Sequence, residues 1–267
     1  MSTETQTLAP GTFCWVDLFT TDTAAARKFY GTLFHWQAND MGGNYSMMKL
    51  NDKMAGGITE LPAELRQNRV PPHWLSYVQV TDAEQIAQKA ASLGGTVLRP
   101  VADMGGFGRM AVLRDPAGAA FALWQPANPK SDAIYNVPGA LCWNELLTTD
   151  TAVATKFYTG LFGWTTKEMA LHNAPNGAKN YTTFEVNGRG NGGMLALPED
   201  VKQMGVPSHW LPYFTVADTD NTVVRAKELG AQVHVPPTDI PGVGRFAVLA
   251  DPQGAGFCIL KLEAQPA

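Results

Sequence analysis

The sequence predicts an α+β chain in which one domain occurs twice, each copy made of two strand–helix–strand–strand–strand (βαβββ) units. Three observations predict it. Residues 10–36 (PGTFCWVDLFTTDTAAARKFYGTLFHW) return as 138–164 (PGALCWNELLTTDTAVATKFYTGLFGW), with 17 of 27 positions identical at an offset of 128, so the chain carries an internal repeat. Residues 103–118 (DMGGFGRMAVLRDPAG) return as 239–254 (DIPGVGRFAVLADPQG) at an offset of 136. The offset grows by 8 because 37–44 corresponds to the longer 165–180. Within each copy, helical periodicity follows a β-rich run twice, each time after a capping Asp.

The elements follow in order. Residues 13–20 alternate β-formers with other types and read as a strand. Asp22 then caps a helix over 23–34, where Ala26, Phe29, Tyr30 and Leu33 recur at three- and four-residue spacing. Strands are expected near 36–38, 45–50 and 54–59, and a connector containing Pro62, Pro71 and Pro72 fills 61–72. A strand over 73–80 opens the second unit. Asp82 caps a helix over 83–93 that stops at Gly94-Gly95, and strands near 96–99, 109–113 and 119–124 complete it. Asp115-Pro116-Ala117-Gly118 is the hairpin turn between the last two. Residues 125–137, with Pro126 and Pro129, read as a linker between domains at 10–126 and 138–262.

Composition narrows the function. The 267 residues suit two domains, and 45% hydrophobic with 16% charged content is ordinary for a soluble globular chain. A net charge of −4 without any basic run argues against nucleic acid and anionic membranes as partners. The first nine residues hold no apolar run, so no secretory leader is expected. Cys14, Cys142 and Cys258 lack metal-site spacing, which fits a reduced, cytoplasmic setting. Cys14 and Cys142 read as small buried apolar residues. No phosphate loop and no nucleophile elbow occurs.

With its repeated TTD…A..FY..LF.W helix motif, the Leu-Gly helix ends at 93–94 and 229–230, and the Asp-Pro-x-Gly turns at 115–118 and 251–254, the chain resembles the vicinal oxygen chelate superfamily. That family includes glyoxalase I, bleomycin-resistance proteins and extradiol dioxygenases. More closely, the chain is similar to tandem glyoxalase-like proteins often labelled hydroxylase or mycobacterial antigen. The resemblance covers about residues 10–262 and implies paired βαβββ units whose sheets form an open curved barrel around a cavity. It also implies where metal ligands would stand: Trp15 and Trp143 on the first strand, Ser76 and Pro212 on the fifth, Ala122 and Cys258 on the eighth. For the fourth strand Glu60 is the possible position, matched by Ala196. These residues cannot assemble a divalent-metal site, so neither metal nor other cofactor is expected.

Other residues are candidates for lining the cavity. Trp15, Asp17 and Phe19 share one face of the first strand, as Trp143, Glu145 and Leu147 do in copy two. An acid there needs a partner, and the repeated Arg109 and Arg245 are the expected ones, paired as Asp17–Arg109 and Glu145–Arg245. Such a pair is either a structural ion pair or an oriented anion receptor. Trp74 and Trp210, together with Tyr45, Tyr181 and Trp124, are either plain core or walls of an aromatic pocket. His73 and His209 fall on the Leu75/Tyr77 side of their strand, read as the face away from the cavity. There they are structural residues or acid–base groups at a rim. His35, His172 and His234 have no counterparts.

The leading expectation is metal-independent binding of a small aromatic or anionic molecule. A metal-independent lyase, isomerase or hydroxylase-type enzyme is the alternative, and a metal-dependent glyoxalase I-type lyase a further one. The chain would act as a monomer with an intrachain pseudo-dimer, or as a homodimer.

Overall fold

The computed structural model describes residues 6–171 and 180–263; His172 lies outside them. A short strand β1 (Gln6–Thr7) precedes the first βαβββ unit: β2 (Phe13–Thr20), α1 (Thr23–Phe34), β3 (Gln37–Asp40), β4 (Tyr45–Leu50) and β5 (Lys53–Glu60). A short helix α2 (Ala63–Gln67) lies in the connector that the prolines marked. The second unit is β6 (His73–Gln79), α3 (Ala83–Ser92), β7 (Thr96–Asp103), β8 (Gly108–Arg114) and β9 (Ala120–Pro126). The linker holds β10 (Lys130–Ser131), which pairs with β1.

Copy two repeats the plan with β11 (Leu141–Thr148), α4 (Thr151–Phe162), β12 (Thr165–Ala170), β13 (Asn180–Val186), β14 (Arg189–Ala196) and α5 (Glu199–Gln203). It ends in β15 (His209–Thr215), α6 (Thr219–Glu228), β16 (Gln232–Ile240), β17 (Gly244–Ala250) and β18 (Gly256–Leu262). Each copy gives one open, mixed eight-stranded sheet, in the orders β3-β4-β5-β2-β6-β9-β8-β7 and β12-β13-β14-β11-β15-β18-β17-β16. In every unit the first strand runs parallel to the last, and the remaining pairs are antiparallel.

All four capping aspartates do what their position predicts. Asp22, Asp82, Asp150 and Asp218 each accept the backbone N–H three residues on, at 2.9–3.0 Å. His35 ends α1 at φ 61° where copy two has Gly163 at φ 72°. It is therefore a left-handed helix cap, which explains why it has no counterpart.

Packing divides the chain into two compact units that do not follow the repeat. One, the Tyr30 unit, contains Trp15–Leu75, Asp132–Cys142 and the chain from Leu211 on. The other, the Tyr158 unit, contains the chain up to Cys14, Ser76–Ser131 and Trp143–Trp210. Each thus takes one βαβββ module from each copy, and the repeated motif residues join the two modules. In the Tyr30 unit the Trp74 indole donates to the Tyr30 hydroxyl at 3.3 Å, and that hydroxyl donates to Asp251 Oδ2 at 3.0 Å. The Tyr158 unit has the same chain, from Trp210 to Tyr158 at 2.8 Å and from Tyr158 to Asp115 at 3.0 Å. Likewise Trp36 donates to Gly139 O at 2.8 Å and Trp164 to Gly11 O at 2.9 Å. The motifs that identify the repeat are largely the bonds that hold modules of different copies together.

Candidate functional site

The helices fix which face of each strand is available. Val16 and Leu18 of β2 are fully buried against Ala26, Phe29 and Tyr30 of α1, so Trp15, Asp17 and Phe19 point to the face away from the helix. On that face, in the Tyr30 unit, three predicted residues meet. The Trp15 indole donates to Asp17 Oδ1 at 2.8 Å, and the Tyr45 hydroxyl donates to the same oxygen at 2.9 Å. The carboxylate is 6% exposed, so both donors stabilise a charge that burial alone would disfavour.

Gly57 makes this meeting possible. It is the parallel cross-strand neighbour of Asp17, and a Cβ built there would collide with Asp17 Oδ1 and the Tyr45 hydroxyl. Burial first, and then the Asp17 charge, pushes the Tyr45 hydroxyl well above the usual tyrosine value. It is therefore a neutral donor at physiological pH.

The Tyr158 unit builds the counterpart from Trp143, Glu145 and Tyr181. Glu145 is buried and lies opposite Gly193 in the sheet. A Cβ on Gly193 would collide with the Tyr181 hydroxyl, to which the Trp143 indole donates at 2.8 Å. The two faces differ in wiring: the indole is bound to the acid in one and to the phenol in the other.

Elsewhere the structure corrects the sequence reading. Trp74 and Trp210 do not wall a pocket with Trp15. They are 5% and 3% exposed, in the two cores, bonded to Tyr30 and Tyr158. The arginines expected to pair with Asp17 and Glu145 take partners on the helices instead. Arg245 makes a bidentate pair with Asp220 in the first turn of α6, at 2.7 and 2.9 Å, and bonds Asp239 at 2.9 Å. Arg109 lies 3.7 Å from Glu84 at the same place on α3. The reason is strand phase: Ala247 and Leu249 pack with Val223 and Ala226 of α6, so the Arg245 side of β17 is its helix side. Hydrogen bonds from Arg245 hold the Asp220 carboxyl below the usual aspartate range. Both groups are at the surface.

β6 is likewise read in the opposite phase. Trp74 and Val78 belong to the cores, so Ser76 shares their side and donates to Asn144 Oδ1 at 2.7 Å. His73, Leu75 and Tyr77 take the other side. His73 accordingly stacks on Phe19, with ring centroids 5.3 Å apart and planes at 11°. It is the residue beside this face that sequence reasoning turned the wrong way, and the repeated Pro-x-His entry to β6 and β15 was the available signal. Trp124 keeps its expected phase, beside Ala122 and away from Phe121 and Leu123 of the core. It leans over Gly108.

The metal positions implied by the resemblance carry Trp15, Trp143, Pro212, Ala122 and Cys258, with Ser76 turned to the helix side and Glu60, at the possible fourth-strand position, paired with Arg66 at 2.9 Å. Among the described residues no three His, Cys, Asp or Glu side chains converge as metal ligands. The donor set does not fit a resident divalent ion.

Comparison with known proteins agrees with this architecture. A family model described as "Glyoxalase/Bleomycin resistance protein/Dioxygenase superfamily" matches residues 141–259, and one described as "Glyoxalase-like domain" matches 14–124. The chain is 41% identical over 256 residues to "Putative glyoxylase CFP32" of Mycobacterium tuberculosis, covering 94% of this chain and 95% of that one. It is 34% identical over 274 residues to "Anthracycline biosynthesis protein DnrV" of Streptomyces peucetius, covering 97% and 96%. Among solved structures, the Mn(II)-bound glyoxalase from Novosphingobium aromaticivorans superposes with a TM-score of 0.64 at 13% identity, covering 96% of this chain and 86% of that one. The 2,3-dioxygenase LapB from Pseudomonas gives 0.65 at 17%, covering 97% and 96%. At such identities the structures speak to fold alone. The chain, with two tandem glyoxalase domains, belongs to the glyoxalase/bleomycin resistance protein/dioxygenase superfamily.

Proposed function

We propose that the Trp15–Asp17–Tyr45 face, with its Trp143–Glu145–Tyr181 counterpart, binds a small aromatic molecule carrying hydrogen-bond donors, and needs no metal to do so. The observation that carries this reading is a buried carboxylate held by an indole and a phenol over a glycine; the second copy sets a buried glutamate beside an indole–phenol pair over a glycine. Indole and phenol rings stack on flat molecules, and a fixed carboxylate accepts from their hydroxyl or amine groups. The turn of Arg109 and Arg245 to the helix side removes the cations that would have favoured an anionic ligand. The names of the Streptomyces relatives, in anthracycline biosynthesis, support an aromatic class.

Binding of 4-nitrophenol, followed through the Trp15 indole N–H resonance, tests the reading. Asp17→Asn keeps an oxygen for Trp15 and Tyr45 but removes the charge, so affinity falls by about tenfold, on the order of one charged hydrogen bond. Equal affinity in the two proteins contradicts the proposal. A second reading, a metal-independent lyase, isomerase or hydroxylase-type enzyme, draws on the Tyr45–Asp17 bond, which sets a neutral proton donor against a base. Loss of turnover, rather than of affinity, in Asp17→Asn separates it from a binder. Each compact unit draws one module from each copy of the same chain, which supports a monomer as sufficient; native mass spectrometry tests that.

A further inference from the structure

Two histidines are built in the same way. His73 Nδ1 lies 2.9 Å from Pro71 O, and His209 Nδ1 lies 2.8 Å from Pro207 O. A carbonyl oxygen can only accept, so in both rings Nδ1 carries the hydrogen and Nε2 presents its lone pair. Burial lowers the tendency of both rings to take a second proton. Among the described residues no protein group bonds Nε2 of His73. Its ring is half-buried at the start of β6 and lies flat on Phe19, two residues along β2 from Asp17 and on the same face. The stack and the carbonyl together fix the plane, the tautomer and the direction of the lone pair.

We infer that His73 is a ligand-contacting residue whose Nε2 accepts a hydrogen bond from a hydroxyl of an aromatic molecule on the Trp15–Asp17–Tyr45 face, Phe19 being the platform that holds the ring in place. The inference rests on the binding role of that face and adds a chemical class to it. The ligand is a phenol or enol with two donors, one reaching Asp17 and the other, a strand residue or two away, reaching His73. In the second copy Leu147 replaces Phe19, so the platform under His209 is absent and the Tyr30 unit carries the more ordered acceptor.

The test uses two variants of the full chain. His73→Asn keeps an N–H for Pro71 O but has nothing at the Nε2 position. His73→Gln places an amide oxygen near it. With hydroquinone, which carries two hydroxyl donors, as probe, His73→Asn weakens binding roughly three- to tenfold, the loss of one hydrogen bond, and His73→Gln stays within about twofold of the wild type. The 15N resonance of His73 Nε2 moves on saturation of the wild type. If the probe shifts the Trp15 indole resonance with equal affinity in His73→Asn and leaves Nε2 unmoved, the inference is overturned while the binding face stands. If the probe leaves Trp15 unmoved in the wild type, the face and the inference fall together.

Discussion

Tyr158→Phe removes a single oxygen from the centre of the Tyr158 unit, and its cost can be worked from the bonds that oxygen makes. The hydroxyl accepts from Trp210 Nε1 at 2.8 Å and donates to Asp115 Oδ2 at 3.0 Å. All three residues are buried, so water cannot replace either bond without repacking. Asp115 is partly compensated, because its Oδ1 still accepts from Ala119 N at 2.9 Å. The Trp210 indole is left without an acceptor. An unsatisfied buried group costs about 1–3 kcal/mol, so one full and one partial loss give roughly 2–4 kcal/mol. The matching Tyr30→Phe in the other unit should cost less, because its Trp74 bond is longer, at 3.3 Å. Urea unfolding read by fluorescence and circular dichroism gives both values, with the two probes compared so that independent melting of the units is noticed. A cost below about 0.5 kcal/mol for Tyr158→Phe, or a larger cost for Tyr30→Phe, refutes the reasoning.

Further expectations follow from the same geometry. Gly57→Ala should leave the protein folded but force Asp17 and Tyr45 apart, abolishing 4-nitrophenol binding; a variant that binds normally would show that the acid–phenol pair is not the receptor. Arg245→Met should leave probe affinity unchanged, since Arg245 serves α6 rather than the ligand face; isothermal titration decides. Burial raises the Asp115 and Asp251 carboxyls, so the folded state holds their protons more tightly than the unfolded chain does. Their contribution is fully present below the ordinary aspartate value and is lost as pH rises through the raised one. The stability of the wild type relative to Asp115→Asn should therefore fall across that window and level off above it, as urea titrations at several pH values will show. Burial pushes the Cys142 thiol up to about 11, so it should resist Ellman's reagent at pH 8 in the folded protein and react once unfolded.

Much of the fold was legible because local chemistry decides it. Asp22 and Asp82 cap where they were read, and the helix over 23–34 has those ends in the structure. The Trp15–Asp17–Phe19 phase could be read because β2 sets Cys14, Val16 and Leu18 against a distinct polar-aromatic face. The phase of β6 could not. Its residues Trp74–Gln79 are buried without a break, and a strand covered on both faces loses the alternation that reveals its sides. Arg245 misled for a related reason. A charged residue at a strand's start looks as though it faces a cavity, while its bidentate partner Asp220 on α6 lies 25 residues away in sequence. The exchange of modules between copies was invisible because Tyr30–Asp251 and Tyr158–Asp115 are long-range bonds between motifs that each copy carries whole. The short helices α2 and α5 were hidden in connectors that prolines marked only as breaks.

The most direct test of the account is a titration of chelator-treated protein with 4-nitrophenol, followed at the Trp15 indole resonance, before and after manganese is restored. The account predicts saturable binding of the same affinity in both, lost in Gly57→Ala. Binding that appears only once the metal is returned would contradict it.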